Sequence, residues 1–348
     1  MANIILTGDI MFGRSFNEKF RMLNNNNEDL KVVYGNIYPL LIESDGVFGN
    51  LETTITSHNK KYTKAFNYKL DPIYKEILKE GNIQYVSLAN NHICDFNQNG
   101  LLDTKDNLNE LSIHHSGAGM SFNKARKPSI FTINNITFAV FSLADHYDYW
   151  KSRKLSNKTF KSYNKNKNKS LKKKNPHLDC LWHVDLFSKS DVSACLTYLR
   201  NFKQSHPHID HIIFSCHINH NYVEKIKPEY IHFCRKLIDN GANLVYCHSP
   251  HHVLPYERYK GKCIFYSLAA FIDDYAINSF RNDLSFLPRI HFTKNGYTFN
   301  EDDIVFTKIK NMSLNRIKKQ KEIDFVKKNI LYKQNPDFKK LIDYTFKK

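Results

Sequence analysis

The sequence predicts an α/β fold with a mixed sheet. Short apolar runs bounded by Gly, Asn or Asp alternate with segments whose apolar residues recur at helical spacing. The alternation continues on both sides of one Lys- and Asn-rich interruption. It therefore describes one domain rather than two.

The elements follow in order. NIILTGD (3–9) is a short apolar run that reads as a buried strand. LKVVYGNIYPLLIES (30–44) has helical spacing broken by Gly35 and Pro39. DGVFGNLE (45–52) is a second strand, ending in Glu52. DPIYKEILKEG (71–81) opens on an Asp-Pro cap and closes on Gly, a good helix frame. IQYVSLANNH (83–92) is a third strand, and QNGLLDTKDNLNELS (98–112) an amphipathic helix. SIFTINNITFAVFSLAD (129–145) reads as a hairpin turning at Asn134-Asn135.

The composition then changes. Residues 151–176 are rich in Lys, Asn and Ser, with few apolar side chains. Such a segment cannot bury a core and reads as a disordered insertion. After it come a helix (SDVSACLTYLRNF), a strand (IDHIIFSCH), a helix (PEYIHFCRKLIDNG) and two strands (ANLVYCH and KCIFYSLAAF). One domain is expected over 1–295, interrupted at 151–176, followed by a basic, mainly helical tail over 296–348.

Bulk properties narrow the class. The chain has 348 residues, 41% of them hydrophobic, enough for a substantial core. The formal net charge of +17 suits polyanionic partners or solubility. Seven cysteines, odd in number and without C-x-x-C spacing, argue against a disulfide scaffold or a zinc knuckle. The first residues read as a strand rather than a signal peptide. No apolar run approaches the ~20 residues needed to span a bilayer. The expectation is a soluble intracellular protein with reduced thiols.

The chemistry gathers where strands end. Successive strands close on Asp9, on Glu52, on Asn91-His92, on His217 and on His248. In open α/β sheets, ligands collect at the carboxyl ends of strands. Mixed oxygen and imidazole donors suit Zn, Mn or Fe, and a pair of such ions makes a hydrolytic site. The segment CHSPHH adds His251 and His252 to this rim.

The ordered series TGDIMFGR, GNLETTIT, VSLANNHICDFNQNGLLDT, HHSGAG, GANLVYCHSPHHV and YKGKCIFYSLAAF resembles the successive motifs of the bacterial capsule-synthesis CapA (PGA_cap) family. That family belongs to the calcineurin-like metallophosphatase superfamily. The resemblance implies a four-layer α/β/β/α sandwich with mixed sheets. It implies two divalent ions (Mn, Fe or Zn) held by Asp9, Glu52, Asn91, His217, His248 and His251, with Glu52 in the bridging place. His92 matches a histidine proposed as general acid, and Arg14 an arginine suited to an anionic group. His252 is the spare, expected behind the ligands or facing substrate. Three departures stand out. Met11 replaces the usual first-motif histidine, His217-Ile218-Asn219-His220 replaces His-Trp-Gly, and Ala269-Ala270-Phe271 replaces Gly-Asn/Asp-Phe.

The implied function is a metal-dependent hydrolase acting on a phosphoester, acyl or amide bond of an anionic small molecule or polymer, in the setting of poly-γ-glutamate capsule synthesis. One alternative is a degenerate, non-catalytic member that binds a polyanion. Another is a metal-dependent nuclease, with nucleic acid held by the Lys-rich insertion.

Overall fold

A computed structural model of the protein describes residues 1–146, 150 and 180–330. The Lys/Asn-rich segment 151–176 and the end of the tail, 331–348, lie outside the described residues. The strands in chain order are β1 (Ala2–Ile10), β2 (Gly46–Leu51), β3 (Thr54–Ile55), β4 (Lys69–Leu70), β5 (Ile83–Ser87), β6 (His114–Ser116), β7 (Ser129–Ile133), β8 (Ile136–Ala144), β9 (His211–His217), β10 (Leu244–His248), β11 (Val253–Tyr259), β12 (Lys262–Leu268), β13 (Ala270–Ile272), β14 (Leu284–Thr293), β15 (Gly296–Thr298), β16 (Ile304–Lys310) and β17 (Ser313–Arg316).

Two sheets divide these strands. The larger follows the order β17-β16-β14-β1-β2-β5-β6, with β13 and β15 attached; the smaller follows β11-β12-β10-β9-β8-β7. Both are mixed. β1, β2, β5 and β6 run parallel, as do β8, β9, β10 and β12, while β14, β7 and β11 pair antiparallel. The single mixed sheet that alternation alone predicts is thus two sheets, as the family resemblance implies.

Period-2 alternation sorts side chains between the layers. Ile4 and Leu6 of β1 pack with Val140 and Ile213 of the smaller sheet in a core between the sheets. Ile5, one residue out of phase, joins the outer core under helix Phe16–Asn25. Phe141 and Phe214 point the other way, toward helices Lys189–Ser205 and Pro228–Asp239. Helix, sheet, sheet and helix form a four-layer sandwich.

Local expectations hold in detail. Asn134 and Asn135 take φ of 49° and 62° at the β7–β8 turn, the left-handed pair of a type I′ hairpin. Asp71 caps the turn Pro72–Tyr74 by accepting the Ile73 N–H.

The tail departs from expectation. Residues 296–316 form three strands, β15, β16 and β17, with a 3-10 turn at Glu301–Asp303, and the described α-helix is confined to Gln320–Ile330. The alternating run IVFTKIK builds β16, and Asn311 and Met312, both at φ 54°, turn the chain into β17. A Lys-rich surface hides this strand pattern, because only the inward residues are apolar. Leu314, Val326 and Ile330 are fully buried, so this region belongs to the sandwich.

No helix among the described residues is long and apolar enough to cross a membrane. All seven cysteines are buried and free.

A chain ending at residue 295 is expected to lose its cooperative thermal transition, and Leu314→Ala to lose about 2–5 kcal/mol. Calorimetry checks both. An unchanged melting temperature in the truncated chain would mean that the tail is independent.

Candidate metal centre

Parallel strands present their carboxyl ends to one edge of each sheet. At that edge β1, β2 and β5 meet β8, β9 and β10, and the predicted side chains converge. Asp9, 1% exposed, sits at the centre. Its Oδ1 accepts the Asn50 side-chain N–H at 2.7 Å and lies 3.6 Å from His248 Nδ1 and 3.9 Å from His217 Nδ1. Its Oδ2 lies 3.2 Å from His251 Nδ1 and accepts the Ser249 N–H at 3.3 Å. Glu52 lies 3.8 Å from both His251 Nδ1 and His217 Nε2. Asn91 Oδ1 faces His217 Nε2 at 3.0 Å.

Local backbone explains why both histidines of H-x-x-H point inward. His248 ends β10. The loop after it then folds back through Ser249 at φ 108° and His251 at φ 59°, a left-handed conformation that costs non-glycine residues energy. His252 turns away. Its Nε2 faces the Val223 carbonyl at 2.9 Å and its ring packs 5.0 Å from Phe280. It stands outside both groups of candidate ligands, buried behind His251.

The ligand atoms form two groups, Asp9–His217–His248 and Asp9–Glu52–His251, each with its atoms within 4.8 Å of one another. Asp9 is common to both. Glu52 also lies 3.8 Å from a histidine of each group, His217 and His251, as a residue in the bridging place would.

The donor set fits cations. Both Glu52 carboxylate oxygens are buried with no hydrogen-bond partner among the described residues. His217 Nδ1 and His248 Nδ1 face each other at 2.9 Å. Burial and the neighbouring Asp9 push the Glu52 carboxyl well up. Burial also raises Asp9, but His251, His248 and Asn50 outweigh it and hold Asp9 low. Burial lowers His251 in turn, yet Glu52 and Asp9 bring it up to about 9. Such mutual dependence marks a site built for positive charge. Met11 contributes nothing to it: the buried thioether accepts the Gly13 N–H at 3.2 Å.

His92 stands beside the ligands. Its Nδ1 contacts Asp95 Oδ2 at 2.6 Å and its ring stacks on Tyr68 at 4.1 Å. Burial lowers its pKa to about 4, so the ring is neutral near pH 7. Arg14, 43% exposed, pairs with Asp274 at 3.4 Å and lies between the rings of Tyr68 and Tyr275 at 6.0 and 5.5 Å.

Several neighbours are absent from the sequence reading. Asn50 links Asp9 to Asn90 through side-chain hydrogen bonds of 2.7 and 3.0 Å. The His146 ring lies 4.8 Å from that of His217, and its Nδ1 contacts Asp145 at 2.6 Å. Applying the strand-end rule to β8 finds this pair. Lys64 reaches Asp95 at 2.7 Å from a loop with no recognisable pattern. Asp273, raised to about 7 by burial, follows β13 at the same edge.

Residues 3–275 match the family model described as bacterial capsule synthesis protein PGA_cap. The chain belongs to this family. The PGA biosynthesis protein CapA of Bacillus subtilis is 26% identical over 83% of this chain and 67% of its own length. A probable polyglutamine synthesis accessory protein of Mycobacterium tuberculosis is 28% identical over 68% of this chain. The match spans 59% of that relative's length. Among solved structures, a hypothetical protein from Thermus thermophilus aligns with a TM-score of 0.48 at 11% identity, covering 88% of this chain and all of its own.

Elemental analysis of the purified PGA_cap-family chain is expected to find divalent transition metal. Asp9→Ala and His217→Ala should reduce it to background, whereas His252→Ala should keep it. Equal metal content in all four proteins would overturn the assignment.

Proposed function

We propose that this PGA_cap member is a metal-dependent hydrolase that cleaves a phosphoester, acyl or amide bond in an anionic substrate. The observation that carries the reading is the buried cluster sharing Asp9, with Arg14 half-exposed beside it. Asp9, Glu52, Asn91, His217, His248 and His251 would hold divalent cations. Cations bound there supply Lewis-acid polarisation and a nucleophile at neutral pH.

The remaining work falls to the chain's own residues. Arg14 is held by Asp274 and the two tyrosines, so its planar fork is ordered before an anion arrives. It binds a phosphate or carboxylate and sets the substrate's direction. Asp95 accepts the Nδ1–H of the neutral His92 ring, which leaves Nε2 as the atom that would first take up a proton from solvent and then pass it to the leaving group. Asp95 itself is fixed by the Tyr68 N–H at 2.6 Å and by Lys64. The family's capsule setting supports an anionic polymer as the substrate class.

The test is turnover of generic phosphoesters by Mn- or Fe-loaded protein. His92→Asn should lower kcat by about 10²–10⁴-fold with metal content unchanged, and Asp9→Ala and His217→Ala should abolish it. Equal activity in wild type and variants sinks the hydrolase reading. Bound metal near zero in the wild type would favour a non-catalytic, polyanion-binding member.

A further inference from the structure

The motif HHSGAG (114–119) plays no part in the metal centre. Three of its residues, His115, Ser116 and Ala118, line a separate cavity of about 380 Å³. Lys105, Lys124 and Lys127 line the same cavity, with Pro128, Ser129 and Ile130, and no carboxylate is among the lining residues.

Different elements bring these lysines together. Lys105 comes from helix Asn97–Glu110, Lys124 from the turn of helix Phe122–Ala125, and Lys127 from the segment leading into β7. Gly119 permits the close fit: a Cβ there would lie 2.7 Å from the Lys124 Cβ. Lys105 Nζ approaches the Ala118 carbonyl at 3.4 Å, and His115 Nε2 lies 3.2 Å from Asn109 Oδ1. None of the three lysines has an ion pair among those seen in the described residues. Burial and the nearby Lys124 charge lower the Lys105 ammonium, with Asp106 offsetting part of this. Like charges are thus gathered in a concavity whose lining, among the described residues, holds no carboxylate, an arrangement that an anion stabilises.

The cavity has a fixed relation to the metal centre. Asp9 pairs with Asn50, Asn50 with Ser87, and Ser87 with Ser116, one row across β1, β2, β5 and β6. Three strand spacings place Ser116 roughly 14 Å from Asp9.

We propose that the cavity is a second anion site, which binds the clustered carboxylates or phosphates of a polyanion through Lys105, Lys124 and Lys127. It stands independently of the hydrolase reading, since no metal ligand takes part.

The test is equilibrium binding of a γ-linked glutamate oligomer and, separately, of inorganic pyrophosphate, by titration calorimetry at low and high salt. Lys124→Gln/Lys127→Gln and Lys105→Gln are compared with wild type and with His217→Ala. The expected result is salt-dependent binding that weakens at least tenfold in the lysine variants and persists in His217→Ala, with melting temperature and metal content of the lysine variants unchanged. Binding of the oligomer but not pyrophosphate assigns a carboxylate ligand, and the reverse a phosphate. Binding that survives the lysine changes, that vanishes with His217→Ala, or that is absent for both probes overturns the site. Absence of phosphoester turnover in the metal-loaded wild type, with binding intact, would count against the hydrolase reading alone.

Discussion

Two buried carboxylates set the terms for this fold. Asp9 and Glu52 are almost wholly withdrawn from water, and moving an ion into a protein interior costs several kcal/mol even after relaxation. Neither sheet can compensate alone. Asp9 and Glu52 come with the larger sheet, while His217 and His248 end adjacent strands of the smaller one, in register with each other. The face-to-face packing of the sheets is therefore tied to the electrostatics of their shared edge. A slip of one residue in β9 or β10 would turn an imidazole into the helix layer and leave a carboxylate stranded.

The same constraint explains where the backbone is strained. Arg14, Asn219, Ser249, His251 and Ala269 all carry positive φ, and all lie in loops leaving this edge. Loops free to relax would not hold five non-glycine residues there. Hydrogen bonds cross between the segments and fix them: the Asp9 N–H donates to the Ala269 carbonyl at 3.0 Å, and the Met11 N–H to that of Ile272 at 3.0 Å. Gly8 makes this approach feasible, since a Cβ would fall 1.7 Å from the Ala269 oxygen.

Much of this is legible in the sequence, and the limits have physical causes. The parallel strands read clearly because they are buried on both faces, and their last residues announce the site. Sheet partition does not read, because alternation reports which face is apolar and not which partner covers it. β16 and β17 are missed for a related reason: an edge hairpin needs only a few inward residues, and Lys308, Lys310 and Arg316 mask them. Asn50 sits in register with Asp9 one residue from the end of β2, but an amide there reads as an ordinary polar strand residue beside the more conspicuous Glu52. Asp95 escapes because its role depends on a three-residue turn that brings it back under His92. A motif orders the ligands along the chain, while sharing between two groups depends on side-chain direction.

The two ligand groups also differ chemically, and this bears on the missing first-motif histidine. Asp9–His217–His248 offers two imidazoles and one carboxylate, whereas Asp9–Glu52–His251 offers two carboxylates and one imidazole. Imidazole-rich sets suit Zn or Fe, and oxygen-rich sets favour harder ions such as Mn. A histidine at Met11 would even out this difference only if its ring reached the cluster. The side chain there is instead buried in the turn, with its sulfur taken up by the Gly13 N–H. The difference between these candidate groups therefore does not turn on position 11 alone, since a side chain there would reach the cluster only if the 11–13 turn moved with it.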